Sequence, residues 1–152
     1  MALQPGNADT YRIVASAHQA AGDFATARDV LLKALSLSPG DVDVLIRLSI
    51  AGRKLEDYAA ALLHAWQAHT RQPTNKEAGN ALGSALAALG NSKDAKAVLT
   101  AIAQKRRLEP DVESRISALC AEIEARERSG MAAAETIPAE PSGPETDENV
   151  KE

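Results

Sequence analysis

Aromatic residues and cysteine are scarce in this chain of 152 residues, which has one tryptophan, two tyrosines, one phenylalanine and one cysteine. A lone Cys120 cannot form an intrachain disulfide, so a disulfide-stabilised fold is excluded and a reducing compartment is favoured. Alanine and leucine are abundant whereas β-branched residues are sparse, which favours helices over a sheet. The composition therefore predicts an all-α protein, and the length suits one domain.

The chain also lacks a long apolar run and a basic surface. No stretch reaches the roughly 20 apolar residues that span a bilayer, and the N-terminal sequence MALQPGNADTYR is too polar for a signal peptide. The formal charge is −4, and residues 129–152 hold six acids against one lysine. The one basic run, residues 105–107, is expected to complement a helix end rather than to contact phosphate. We therefore expect a cytoplasmic protein that neither inserts into membranes nor binds nucleic acid.

An internal repeat organises the rest of the chain. The stretch GDFATARDVLLKALSLSP at residues 22–39 returns 34 residues later as EDYAAALLHAWQAHTRQP at residues 56–73, and more loosely from Gly90. A period of this length is typical of stacked helical hairpins, since one hairpin cannot bury its apolar face alone. The repeat predicts three hairpins, at about residues 8–41, 42–75 and 76–109.

Helix starts are predicted from glycine and from short polar residues. We expect Gly22 to end the first helix and Asp23 to cap the second, since aspartate accepts hydrogen bonds from the first amides of a helix. Asp41 is expected to cap the third helix in the same way. Thr74 and Glu77 form a capping-box pattern, which predicts the start of the fifth helix.

The end of the third hairpin departs from the repeat. Arg107 stands where the earlier units have Pro39 and Pro73, so we expect the sixth helix to continue to Pro110. A seventh helix, residues 111–128, has an apolar stripe and a charged opposite face, which suits a cap on the stack.

The two ends of the chain have no helical periodicity. Residues 1–7 are expected to be a flexible lead-in to the helical domain at residues 8–128. Residues 129–152 contain three prolines and strong negative charge, and they cannot bury enough apolar surface to offset their ordering entropy. They are therefore predicted to form a disordered acidic tail.

The repeated positions resemble those of the tetratricopeptide repeat (TPR) family, in which large and small residues occupy fixed places and a proline closes each unit. In the first unit these places hold Tyr11, Val14, Ala15, His18, Ala27, Leu31, Ala34 and Pro39. In the second they hold Leu45, Leu48, Ser49, Gly52, Ala61, Ala65, Ala68 and Pro73. In the third they hold Gly79, Leu82, Gly83, Leu86, Ala95, Leu99, Ile102 and Arg107. The resemblance implies a right-handed α-solenoid of three hairpins with a C-terminal capping helix.

The resemblance also implies a binding function. In this family the first helix of each hairpin lines a concave groove that holds a peptide or a helix of a partner protein. The corresponding protein-binding residues here are Arg12, Ser16, Gln19, Ile46, Ile50, Arg53, Asn80 and Ser84. Acidic residues of a ligand would then meet Arg12 and Arg53, and its apolar residues would meet Ile46 and Ile50.

No pattern of catalytic residues accompanies the repeat. The sequence has no paired carboxylates, nucleophile motif or phosphate loop, so we expect neither an enzyme nor a cofactor or metal site. His18 and His69 fall at inward positions and are expected to be hydrogen-bonded core residues, whereas His64 is expected on the outer face. Trp66 is either a contact at the groove edge or filler between repeats, and Cys120 is expected to be inert.

The favoured function is a non-enzymatic adaptor or scaffold that binds another protein as a monomer. One alternative is a small TPR chaperone of a protein secretion system, although the N-terminal helix that dimerises such chaperones is not evident. The other is an assembly subunit that docks through the uncovered side of the first helix, near Tyr11 and Val14. Light scattering separates them, because a monomer favours the adaptor and a homodimer favours the chaperone.

Overall fold

The structure, a computed structural model, describes residues 7–136, with side-chain burial described as far as residue 130. This part of the chain contains seven α-helices and no strand. They are α1 (Ala8–Ala20), α2 (Phe24–Leu37), α3 (Val42–Lys54), α4 (Tyr58–Arg71), α5 (Lys76–Ala88), α6 (Ser92–Ala103) and α7 (Pro110–Thr136). None of these helices combines the length and the apolar character that crossing a bilayer requires. The predicted all-α helical-repeat solenoid is confirmed.

Consecutive helices pack against each other from α1 to α6, and α3 also contacts α5. Leucine side chains from every hairpin are fully buried between the helices. These leucines are Leu31, Leu45, Leu48, Leu62, Leu82 and Leu86. One cluster joins Ala15 and Leu31 of the first hairpin to Leu48 of the second, so the hairpins share a continuous core.

The turn inside each hairpin has the same construction. The first helix ends at a residue with positive φ, and the residue after it caps the second helix. The positive-φ residues are Gly22, Glu56 and Gly90, with φ of 83°, 62° and 85°. The capping residues are Asp23, Asp57 and Asn91, whose side chains accept hydrogen bonds from the amides of Thr26, Ala60 and Asp94. The predictions for Gly22 and Asp23 are thus confirmed.

The starts of α3 and α5 agree only in part with the sequence analysis. Asp41 caps α3 as predicted, since its carboxylate accepts a hydrogen bond of 3.3 Å from the amide of Val44. The predicted capping box at Thr74 is wrong, because Asn75 takes the cap position and accepts a 3.0 Å hydrogen bond from the amide of Ala78. Asparagine caps at least as well as threonine, so the helix starts one residue later than the box pattern indicates.

The sixth helix is shorter than predicted. It ends at Ala103 rather than continuing towards Pro110. The amide of Arg106 donates a 3.0 Å hydrogen bond to the carbonyl of Ala101, and Lys105 adopts a φ of 55°. This pattern is a Schellman motif, which ends a helix through backbone hydrogen bonds and therefore needs no proline.

Two residues of the third repeat that depart from the repeat pattern, Gly79 and Ile102, contact each other. Gly79 and Ile102 occupy the places that Leu45 and Ala68 hold in the second hairpin, so the large and the small residue are exchanged. A Cβ atom at Gly79 would overlap Cδ1 and Cγ1 of Ile102. Only glycine can face Ile102 at this distance between α5 and α6.

Gly83, one turn along α5, has the same role. A Cβ atom there would lie 2.8 Å from Cγ and Cδ2 of Leu99, which is well inside normal contact distance. The Gly79-x-x-x-Gly83 spacing thus permits close packing within the hairpin.

The start of α7 is anchored to α6 by an ion pair. Nε and Nη2 of Arg115 donate hydrogen bonds of 3.2 and 2.8 Å to Oδ1 of Asp94, which is 5% exposed. These hydrogen bonds hold the pKa of Asp94 below its ordinary value. Arg115 is thus a charged residue of α7 that contacts α6.

The seventh helix is also longer than predicted, because it includes residues 129–136 that were assigned to the disordered tail. These residues contain three consecutive alanines, and alanine is the strongest helix former. By their internal contacts the residues divide into two units, Met1–Cys120 and Ala121–Glu152. The rest of the predicted tail, 137–152, and of the lead-in, 1–6, lies outside the described residues.

The hairpin turns generate a prediction about stability. Glu56→Gly should raise the free energy of unfolding by about 0.5–1 kcal/mol, because glycine adopts positive φ without steric cost. Gly22→Ala should lower it by about 1 kcal/mol, and since a Cβ there meets no atom within 4 Å, the loss comes from the backbone alone. Urea denaturation of the two variants measures both effects, and changes of the same sign would contradict this account.

The exchanged contact of the third hairpin generates a second prediction. Gly79→Ala should destabilise the protein by about 1–3 kcal/mol through overpacking, and Ile102→Ala by about 2 kcal/mol through a cavity. The double variant should be at least about 1 kcal/mol more stable than the sum of the two effects predicts, because each change relieves the other. Additive effects in thermal or urea unfolding would show that the two residues do not share one contact.

Candidate protein-binding surface

The first helices of the hairpins line two adjoining depressions, which we call the first-helix groove. The depression between α1 and α3 has a volume of about 440 Å³. Its lining residues are Arg12, Ile13, Ser16, Asp43 and Arg47. The depression beside α3 and the start of α5 has a volume of about 420 Å³. Its lining residues are Asp41, Val42, Asp43, Ile46, Gln72, Asn75 and Glu77. Asp43 belongs to both depressions and joins them.

The arginines of the first depression form ion pairs with carboxylates of the same chain. Nη2 of Arg12 lies 2.8 Å from Oδ1 of Asp9, and its Nη1 lies 3.6 Å from Oδ2 of Asp43. The same oxygen of Asp43 accepts a 2.9 Å hydrogen bond from Nε of Arg47. Arg12 therefore already has two carboxylate neighbours, and its charge is largely compensated within the protein.

Two more predicted site residues belong to this network. The side-chain amide of Gln19 donates a 3.2 Å hydrogen bond to the carbonyl of Arg47, and its oxygen accepts one of 3.3 Å from the guanidinium. The hydroxyl of Ser16 donates a 3.1 Å hydrogen bond to the carbonyl of Arg12. Gln19 thus links α1 of the first hairpin to α3 of the second, next to the first depression of the groove.

The apolar part of the groove includes a residue that the sequence analysis missed. Ile13 is 67% exposed and lines the first depression. Ile46, which was predicted, is half-buried and lines the second. The signal for Ile13 was an isoleucine at a solvent-facing helix position, which the family positions do not include.

The other predicted site residues lie apart from the two depressions. Ile50 and Arg53 are half-buried further along α3, and the Nε atom of Arg53 is buried without a hydrogen-bond partner in the described chain. Asn80 is exposed and Ser84 half-buried on α5. The structure therefore gathers Arg12, Ser16, Gln19 and Ile46 around Asp43 and Arg47, and leaves the remaining four along the helices.

The second depression has a negative rim. Asp41, Asp43 and Glu77 contribute carboxylates, and its lining includes neither lysine nor arginine. Asp43 is compensated by Arg12 and Arg47, as described above. The carboxylate of Asp41 accepts the capping hydrogen bond at the start of α3, and Glu77 is exposed in the first turn of α5.

The histidines differ in their surroundings. His18 is not in the core, since its side chain is 37% exposed and its Nδ1 lies 3.5 Å from a carboxylate oxygen of Asp23. His64 is half-buried rather than on the outer surface, and burial lowers its pKa. Within residues 7–130, no group of three potential ligands lies close enough to hold a metal ion. The single Cys120 is buried.

His69 is a core residue, as predicted, but it is not hydrogen-bonded. It is 2% exposed, and neither ring nitrogen has a hydrogen-bond partner among the described residues. Its ring stacks on Trp66, with centroids 5.8 Å apart and planes 23° apart. Burial lowers the pKa of His69, while the charge of Glu113 raises it and that of Arg107 lowers it further. Trp66 therefore packs against His69.

Comparison with known proteins agrees with this architecture. Residues 8–51 match the family model described as "Tetratricopeptide repeat". A solved structure titled "MamA MSR-1 C2" has a TM-score of 0.60 and 17% sequence identity, and the match covers 66% of this chain and 58% of that chain. No curated protein has a significantly similar sequence. The family model and the solved structure both support the resemblance of the repeats to the tetratricopeptide-repeat family.

The repeats indicate a general class of function. Tetratricopeptide-like repeats support a protein-interaction or scaffold module in general, and their fold is typical of non-enzymatic proteins. The match to the solved structure, at this identity, concerns the fold alone. Its 58% coverage means that this chain corresponds to little more than half of that protein.

The buried histidine generates a prediction about pH. The lowered pKa of His69 means that the unfolded chain, with a histidine pKa of about 6.5, binds a proton that the folded state excludes. Stability should therefore fall as the pH drops below about 6.5. His69→Phe keeps a flat ring on Trp66 and removes two unpaired nitrogens, so it should add about 1 kcal/mol at neutral pH and reduce the acid loss.

Urea denaturation at about pH 7.5 and about pH 5.5 measures this effect as a difference between the variant and the parent. His18→Phe is the control, because His18 is partly exposed beside Asp23. An equal loss of stability in parent and His69→Phe would show that His69 is protonated within the fold.

Proposed function

We propose that this protein is an adaptor or scaffold that binds a peptide or helical segment of another protein in the first-helix groove. The main support is the pair of adjoining depressions that share Asp43 and place an isoleucine beside charged groups. A concave site with apolar and polar groups together is the usual form of a ligand site.

The ion pairs of the groove revise the expected chemistry of the ligand. The sequence analysis paired acidic ligand residues with Arg12 and Arg53. Arg12 is compensated by Asp9 and Asp43, so an acidic ligand would have to compete with two carboxylates. The second depression instead offers the carboxylates of Asp41 and Glu77, which favour a basic ligand.

The ligand that fits is therefore an amphipathic or extended segment with basic and apolar residues. One apolar side chain would contact Ile13 and another Ile46, and a lysine or arginine between or beside them would meet Glu77. Affinity should be micromolar, about −8 kcal/mol, because a shallow groove must offset the ordering entropy of the segment. It should also weaken in high salt, since the charged contacts are exposed.

A pair of surface variants tests this proposal. Ile13→Asp combined with Glu77→Lys removes an exposed apolar contact and reverses a rim charge, and neither residue is part of the core. Proteins captured by the immobilised parent from its source cells should be reduced at least about tenfold with this variant, a loss of about 1.4 kcal/mol or more. Quantitative mass spectrometry measures the reduction, and titration of the recovered partner gives its dissociation constant.

The matched control is Leu32→Asp combined with Asp29→Lys, which makes equivalent changes at exposed positions of α2. This control should bind as the parent does. If the control loses the partner and the groove variant retains it, the binding surface lies on the second helices and the groove proposal is wrong. Circular dichroism checks that both variants keep their helix content.

A further inference from the structure

The third hairpin contains a pocket outside the first-helix groove. It lies where α5 begins and α6 ends, and its volume is about 390 Å³, near the lower end of the roughly 300–1,000 Å³ range of ligand sites. Its lining residues are Thr74, Lys76, Ile102, Ala103, Lys105 and Arg106. Ile102 is half-buried and Ala103 exposed, so the pocket presents apolar surface between basic side chains.

The departures of this hairpin from the repeat coincide at the pocket. In the second hairpin the equivalent places of Thr74 and Lys105 hold Gly40 and Arg71, and Nη1 of Arg71 lies 2.7 Å from where a Gly40 Cβ would stand. Arg71 therefore lies directly over Gly40. In the third hairpin α6 ends at Ala103, and the positive φ of Lys105 turns the chain away.

Because α6 ends early, the space in the third hairpin stays open, whereas Arg71 covers the equivalent space in the second hairpin. The larger Ile102, in the place of an alanine, supplies the apolar surface that this space exposes. Lys105 adopts its φ of 55° without being glycine, a conformation that costs roughly 1–2 kcal/mol. A basic residue therefore stands at a position where glycine would be more stable.

Two of the basic groups around the pocket are available to a ligand. Lys76 and Lys105 are exposed, and neither forms an ion pair with another described residue. Arg106 is different, since it hydrogen-bonds to Gln104 at 2.7 Å and to Glu109 at 3.3 Å. The uncompensated positive charge is thus carried by the two lysines on either side of the apolar surface.

We propose that this pocket binds an acidic segment of a partner protein through one apolar side chain. The apolar side chain would contact Ile102, and carboxylates on both sides of it would pair with Lys76 and Lys105. The second depression of the first-helix groove has the opposite rim charge, so it and this pocket suit different segments. This site does not depend on the groove for its chemistry.

The probe is a fluorescein-labelled nonapeptide in which a central leucine is flanked on each side by two glutamates and by glycine and serine. Fluorescence anisotropy with the full chain should show saturable binding that weakens at about 0.5 M NaCl. A peptide with alanine for leucine should bind about tenfold or more weakly, because the buried apolar area is lost. A peptide with glutamine for glutamate should lose at least as much.

Variants of the protein locate the site. Lys76→Ala with Lys105→Ala should weaken the leucine peptide about tenfold, a typical effect for two exposed charge contacts. The matched control is Lys93→Ala with Lys96→Ala, which removes two exposed lysines of α6 that do not line this pocket, and it should bind as the parent does. The Ile102 δ1-methyl NMR signal should shift with the leucine peptide and not with the alanine peptide.

Two results would overturn the proposal. Equal binding of the leucine and alanine peptides, with equal competition by heparin, would identify a nonspecific polyanion-binding surface without an apolar site. Equal loss of binding in the two lysine variants, or no binding by the parent, would show that the pocket selects no acidic segment. Each outcome leaves the groove experiment unaffected, because the groove variant changes neither lysine.

Discussion

Each hairpin depends on two helices approaching so closely that one residue of each facing pair must be small. The close approach excludes water and allows the leucines on either side to be buried completely. Short helices are only marginally stable alone, so this contact supplies most of their stability. The turn must then be equally tight, and a positive-φ residue followed by an aspartate or asparagine cap satisfies the last carbonyls of one helix and the first amides of the next.

The sequence predicted those parts of the fold that are encoded locally. Gly22 and Asp23 were found because glycine and aspartate prefer the conformations that a helix end and a cap require. The end of α6 was missed because Lys105 has no such preference, and its φ is imposed by backbone hydrogen bonds to the preceding turn. The pairing of Gly79 with Ile102 was also missed, since the two residues are 23 positions apart and only packing makes them one feature.

The sequence could indicate where the candidate site lies along the helices but not how its charges are paired. The repeat phase predicts that the first helix of each hairpin lines the groove, and four of the predicted residues lie close together around Asp43 and Arg47. It cannot show that Asp43, from the next hairpin, compensates Arg12, because this pairing depends on how far α1 lies from α3. The two open lysines of the third hairpin were missed for a similar reason. Their availability follows from where α6 ends, and not from the residues themselves.

The exchanged sizes of Gly79 and Ile102 also restrict how the chain can misassemble. Repeats of similar sequence can pair with the wrong neighbour, within one molecule or between two. A hairpin of α3 with α6 would oppose Leu45 to Ile102 and overfill the contact, and one of α5 with α4 would oppose Gly79 to Ala68 and leave a void. Both errors carry a packing penalty. The volumes of these two side chains therefore favour the pairing of α5 with α6 over both alternatives.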